Sequence, residues 1–112
     1  MIVYKVMAKA TKGIFLPRKV AANLKLTGEQ IKLARLRRDI SIAQMAERAS
    51  CSPLTIMRIE KGAPTVAIGI YLRVLYALGL DEDILLLAKN DELGRSLQDI
   101  DMVQHKRASK KS

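Results

Sequence analysis

The apolar positions between Ser41 and Gly62 follow a helical period twice, with a break between the two runs. Met45, Ala46 and Ala49 put apolar groups on one helix face, and Ser41 with Gln44 three residues later has the spacing of a capping box, so a helix is predicted to start at Ile42. Ala49-Ser50-Cys51 carries no helix-favouring signal. Ser52-Pro53 then restarts a helix, because serine is a good N-cap and proline at the first helical position lacks only a donor that would have no partner anyway. This second helix is expected to reach Lys61, burying Ile56 and Ile59. Pro53, Leu54, Thr55 and Arg58 lie on or near its leading outward face, and Gly62 supplies its stop.

Upstream, Ile2-Val3-Tyr4-Lys5-Val6 has the residue types of a short strand, which one strand alone cannot stabilise. It pairs with another chain or is simply a loose start, and Met7 is an alternative initiator. After Lys12-Gly13, residues Pro17 to Leu24 read as a short basic helix with Pro17 in its first turn. Thr27-Gly28-Glu29-Gln30 is a second candidate capping box, opening a separate helix with Ile31 and Ala34 inward and Arg35, Arg37 and Arg38 at its end. Downstream, Pro64-Thr65 is expected to open the most apolar helix, with Tyr71, Val74, Leu75 and Leu78 as its core stripe and Leu78-Gly79-Leu80 as its close. Asp81-Glu82-Asp83 starts a further helix containing Ile84, Leu85, Leu86 and Leu87. Four consecutive large apolar residues cannot all face one small core, so the excess either meets a twin subunit or belongs to a fully buried helix end. Asp91 to Ile100 reads as a short amphipathic helix with Leu93, Leu97 and Ile100 aligned, and Gln104 to Ser112 as a disordered polar tail. The resulting expectation is all-α, with a basic extension at 1–26, a compact five-helix domain at 27–88 and an amphipathic C-terminal segment at 89–112.

Two short helices joined by a tight turn make a helix-turn-helix, whose second helix fits the major groove of DNA. At Ala34-Arg35 with Arg38, at Gln44-Met45-Ala46, and at Thr55-Ile56 with Ile59-Glu60-Lys61-Gly62, the chain resembles the lambda-repressor-like (Cro/C1, XRE) regulators from roughly Thr27 to Leu87. The resemblance implies that Arg35 pairs with Glu60, tying the first helix of the domain to the recognition helix. It also implies glycine in the turn, where this chain has Ser50. The stretch Ala63 to Leu80, followed by Leu93-Gly94-Arg95-Ser96-Leu97-Gln98-Asp99, is similar to the HipB-like antitoxins that accompany HipA-type serine/threonine kinase toxins. That likeness implies a homodimer on an inverted-repeat operator, repression of its own operon and neutralisation of the kinase; a stand-alone repressor is the alternative.

Composition agrees with a polyanionic partner. The 20 Lys and Arg outnumber 11 acids, for a net charge of +9 and a pI near 10.0. Residues 1–38 hold ten basic side chains against one acid, whereas residues 81–101 hold seven acids against Lys89 and Arg95. One end of the chain suits phosphate and the other does not. A lone cysteine excludes an intramolecular disulfide and any multi-cysteine zinc site, and fits a reducing cytoplasm; the DNA-binding reading places the chain there at the nucleoid. Neither a membrane-spanning apolar run nor a signal peptide is apparent. With aromatics confined to Tyr4, Phe15, Tyr71 and Tyr76, a platform stacking single-stranded bases is disfavoured against duplex DNA.

In the groove, Arg58 is the candidate for bidentate contact to guanine, Thr55 for a thymine methyl or a phosphate and Leu54 for apolar readout, with Pro53 at the leading edge. Gln44, Ser52 and Lys61 are placed for phosphate, while Arg37 and Arg38 serve either their own helix end or the DNA backbone. An enzyme finds little support: His105 is the only histidine, Cys51 stands alone, and neither a glycine-rich phosphate loop nor a catalytic carboxylate pair is evident. No cofactor or metal is expected.

Overall fold

The computed structural model describes residues 14–111. Among the described residues every regular element is helical: α1 (Arg18–Arg37), α2 (Ile42–Ala49), α3 (Pro53–Glu60), α4 (Ile68–Ala77), a 3₁₀ segment (Asp81–Leu86) and α5 (Glu92–Lys111). The expected all-α class holds. The candidate strand at Ile2–Val6 lies outside the described residues. The chain divides into two compact units, the first ending at Asp81 and the second beginning at Glu82.

In the first unit α3 packs against both α1 and α2, and α2 also packs against α4. Their shared core is Ile31, Ala34, Ile40, Met45, Ala46, Ala49, Ile56, Ile59, Val74 and Leu78, with Tyr71 and Leu75 partly buried beside it. Each large side chain fully buried there, as Met45, Ile56, Ile59 and Val74 are, contributes about 1.5–3 kcal/mol of transfer free energy before entropy is counted.

Four expectations need correction. The two basic helices proposed for Pro17–Leu24 and from Thr27 onward are one helix, α1, through which the boundary drawn at 26/27 also passes. Instead of capping a new helix, the Thr27 hydroxyl donates back to the Asn23 carbonyl at 2.9 Å, and Leu24, Lys25 and Leu26 are good helix formers with no proline to stop them. Helix α4 begins at Ile68, not at Pro64-Thr65, which lie in a turn. The acidic start at Asp81 opens a 3₁₀ segment that ends at Leu86. The C-terminal helix does not stop near Ile100: it continues through Gln104 to Lys111, where the sequence holds no glycine or proline to end it.

Glycine matters at two places where helices meet. A Cβ on Gly28 would sit 2.5 Å from the Ile59 carbonyl oxygen and 2.6 Å from that of Glu60, so only glycine lets α1 pass the end of α3 this closely. Gly62 combines a left-handed backbone (φ 77) with an approach of 2.6 Å between a would-be Cβ and the Lys25 Cα. The helix stop and the packing against α1 are thus set by one residue.

Candidate nucleic-acid interface

Capping fixes the two motif helices. The Ser41 hydroxyl accepts from the Gln44 N–H at 3.1 Å, and the Gln44 side-chain oxygen accepts from the Ser41 N–H at 2.9 Å, completing a reciprocal capping box at the start of α2. With its oxygen committed, Gln44 keeps its exposed amide NH₂ as a free donor. Helix α3 starts in the same way, the Ser52 hydroxyl accepting from the Thr55 N–H at 3.1 Å with Pro53 in the first helical position. The Ser52 and Thr55 hydroxyls also share a hydrogen bond at 2.9 Å. Each therefore has a local partner before any DNA arrives.

The turn between the helices contains the residue that departs from glycine. Ser50 takes the left-handed conformation (φ 52, ψ 50) and caps α2, at a steric cost of about 1–2 kcal/mol for a residue with a side chain. A residue from α4 braces it: Arg73 Nη1 donates to the carbonyls of Ala49 at 3.4 Å and Ser50 at 3.2 Å. Cys51, next along, is half-buried against the core, and burial pushes its thiol above the ordinary range more than the nearby Arg73 charge draws it down. Its resting form is the neutral thiol, which is a poor nucleophile.

Arg35 locks α1 to α3. Its Nε donates to Glu60 Oε2 at 2.7 Å and its Nη2 to Glu60 Oε1 at 3.0 Å, a side-on bidentate pair, while Nη1 donates to the Ile40 carbonyl at 2.7 Å. Both side chains are 6% exposed. The Glu60 hydrogen bonds raise the Arg35 pKa despite its desolvation, so the guanidinium stays charged. One cation thereby joins α1, the loop before α2 and the end of α3.

What α3 leaves outside is consistent in direction. Ile56 and Ile59 are buried, while Pro53, Leu54, Met57, Arg58 and Lys61 are exposed, Leu54 by 63%. Arg58 Nη2 donates to the Thr65 hydroxyl in the turn after α3. Lys61 forms the C-cap of α3. A groove of about 220 Å³ between α1, the start of α2 and α3 is lined by Lys32, Arg35, Ile42, Met57, Glu60 and Lys61. Because Arg35 and Glu60 neutralise one another at its base, Lys32 and Lys61 give the groove its net positive charge.

Not every candidate joins this surface in the same way. Arg38 Nη1 donates to the Ala34 carbonyl at 2.8 Å and so serves the end of its own helix, whereas Arg37 is exposed at the last position of α1. Ile84, Leu85, Leu86 and Leu87 belong to the second unit, with Ile84 half-buried and the three leucines exposed. His105 lies on α5 beside Asp101, 3.3 Å away and well exposed. Among the described residues no group of three or more His, Cys, Asp or Glu side chains could hold a metal ion. No described helix is long and apolar enough to cross a membrane.

Sequence reasoning missed Thr65, Arg73, Lys32 and Met57. Thr65 sits in a turn where the pattern predicts a helix start, and Arg73 reaches the motif across 23 residues of sequence, so no local spacing signals either contact. Met57 and Lys32 were legible as outward helix positions had the faces of α1 and α3 been drawn together.

Residues 27–86, more than half of the 112-residue chain, match a protein-family model described as Helix-turn-helix domain. No curated protein matches the sequence significantly.

Proposed function

The chain belongs to the helix-turn-helix domain family, and from that premise we propose that it is a sequence-specific repressor of transcription acting on duplex DNA as a homodimer. The observation that carries the reading is the division of α3: its inner side is locked into the core and to Arg35, while Leu54, Arg58 and Lys61 stand free of the core on its outer side. In the major groove Arg58 reads guanine, Thr55 and Leu54 meet a thymine methyl beside Pro53, and Gln44, Ser52, Lys61 and Arg37 hold phosphates, with Arg38 adding charge at the end of α1. A two-fold dimer places recognition helices about 34 Å apart, so the operator is an inverted repeat.

The likeness of Ala63–Leu80 and Leu93–Asp99 to HipB-like antitoxins supports a second role, in which the protein neutralises a HipA-like serine/threonine kinase and represses the operon encoding both. The exposed leucines Leu85, Leu86 and Leu87, with Ile84, then contribute to the dimer or kinase contact. The protein acts in the cytoplasm, at the nucleoid, and needs no cofactor.

The test is a gel shift on promoter DNA and on random duplex, with a pull-down from the native cytoplasm. Arg58→Ala is expected to weaken operator binding by about 1–3 kcal/mol while leaving random duplex nearly unaffected. Lys61→Ala weakens both alike and flattens the salt dependence. Equal losses on both DNAs for Arg58→Ala would refute its readout role. Recovery of a kinase in the pull-down supports the antitoxin reading, and promoter binding without one leaves a stand-alone repressor.

A further inference from the structure

We propose that Thr65 is a positioning residue for Arg58, holding its guanidinium ready for a guanine edge and so sharpening sequence choice. The inference rests on the base-reading role given to Arg58 above and names what presents that side chain. Arg58 Nη2 donates to the Thr65 hydroxyl. The main chain of Arg58 is tied to the same turn: the Ala63 N–H donates to the Arg58 carbonyl at 2.9 Å, and the Gly62 N–H to the Ile59 carbonyl at 3.0 Å. Those two bonds, with Gly62 left-handed (φ 77), form the Schellman close of α3. Backbone and side chain of one residue of the recognition helix therefore converge on the segment 62–66.

Thr65 can hold a neighbour because it is held itself. Gly62, at the start of the segment, sits too close to the Lys25 backbone to carry a Cβ. The ring of Pro64 fixes φ just before Thr65, and Val66, just after it, packs against the core. The hydroxyl is thus offered by a half-buried residue anchored on both sides, to an arginine that is itself exposed. Ordering a rotamer-rich side chain at a DNA surface opposes binding, and one already restrained loses less freedom.

The contact presents the arginine without using it up. Nη2 carries two hydrogens, one on the Nε side and one on the Nη1 side. Whichever of them Thr65 takes, the other completes a two-donor edge with Nε or with Nη1, and a two-donor edge is what guanine O6 and N7 require.

The test uses the full-length chain and a duplex that it selects from a random-sequence pool, with dissociation constants measured for that duplex and for each single-base-pair variant. Discrimination is a ratio of two constants from one preparation, so a loss of folded protein cancels from it. Arg58→Ala identifies the base pair at stake as the one whose replacement ceases to matter. At that pair Thr65→Val, which keeps the branched shape and removes the acceptor, is expected to lower discrimination about threefold to tenfold. Thr65→Ser, which restores the hydroxyl, should recover most of it, and in an Arg58→Ala background Thr65→Val should change nothing further. Full discrimination in Thr65→Val, at a pair where Arg58→Ala abolishes it, overturns the positioning role and leaves base reading by Arg58 intact. Equal weakening on every duplex, persisting without Arg58, means that Thr65 holds a phosphate itself and overturns the role as well. Stronger discrimination in Thr65→Val means that the bond sequesters Arg58, which also overturns it. If Arg58→Ala relaxes no base pair, base reading and positioning fall together.

Discussion

The two units of this chain use similar sequence material and reach opposite outcomes. Up to Asp81, amphipathic helices of eight to twenty residues close on one another and bury ten apolar side chains. From Glu82 onward leucine is no rarer for the length of chain, five in 31 residues against ten in 81, yet Leu85, Leu86, Leu87, Leu93 and Leu97 are all exposed. The difference is in connection. Short loops at 38–41 and 50–52 return each helix to its neighbour in the first unit, whereas α5 runs twenty residues with no element of its own unit folded back along it. An apolar stripe becomes a core only where the chain folds another element back against it.

The sharpest way to break the first unit while sparing the second is to remove one partner of its buried ion pair. Glu60→Ala leaves the Arg35 guanidinium desolvated beside only the Ile40 carbonyl, which is expected to cost about 3–5 kcal/mol. Denaturant unfolding should show a lowered midpoint with an unchanged slope, and Glu60→Gln, which keeps an acceptor, should lose less. A loss below about 1 kcal/mol for Glu60→Ala would mean that the pair is not the lock its geometry describes.

How much of this was legible in the residues follows the same division. The motif could be read because its information is local: Ser41 and Gln44 cap one another across three residues, Ser52 and Pro53 start α3, and Gly62 stops it. The buried set Met45, Ala46, Ala49, Ile56 and Ile59 came from periodicity alone. Where the reading failed, the deciding contact was distant or the local signal was ambiguous. Thr27-Gly28 looks like a helix start, yet Gly28 is required by carbonyls of residues 59 and 60 that no reading of α1 in isolation can supply. The polar composition after Gln104 suggests a tail, yet α5 runs on to Lys111, because Lys, Arg, Gln and Ala are good helix formers.

Two glycines carry the comparison to a smaller scale. At Gly28 a methyl group meets backbone carbonyls at 2.5 and 2.6 Å, which cannot move without shifting α3; at Gly94 it meets the Asp91 carboxylate, which can rotate away. Gly28→Ala is expected to cost about 1–3 kcal/mol by overpacking. In Gly94→Ala the displaced Asp91 weakens its cap on the Gly94 N–H, a loss of about 1 kcal/mol largely offset by the better helix propensity of alanine. Thermal melts followed by circular dichroism separate the two, and comparable losses would erase the distinction between a rigid and a yielding contact.

The smallest effects fall on the turn that aims α3. Arg73 holds the Ala49 and Ser50 carbonyls from α4, and Arg73→Met, which keeps most of the stem's packing, is expected to cost about 1 kcal/mol, the lower range for a partly solvated charged hydrogen bond. Ser50→Gly acts in the other direction. Relief of the left-handed backbone at φ 52 outweighs the added freedom of the unfolded chain, for a net gain of about 0.5–1 kcal/mol. In a small domain that raises Tm by a few degrees. Combining the two substitutions shows whether Arg73 restrains the turn itself: if it does, its loss should matter less once glycine occupies the position without strain, and the sum of the single effects will exceed that of the pair. Strict additivity would mean that Arg73 caps α2 without bearing on the turn, leaving the aim of α3 to Ser52 and the core beneath it.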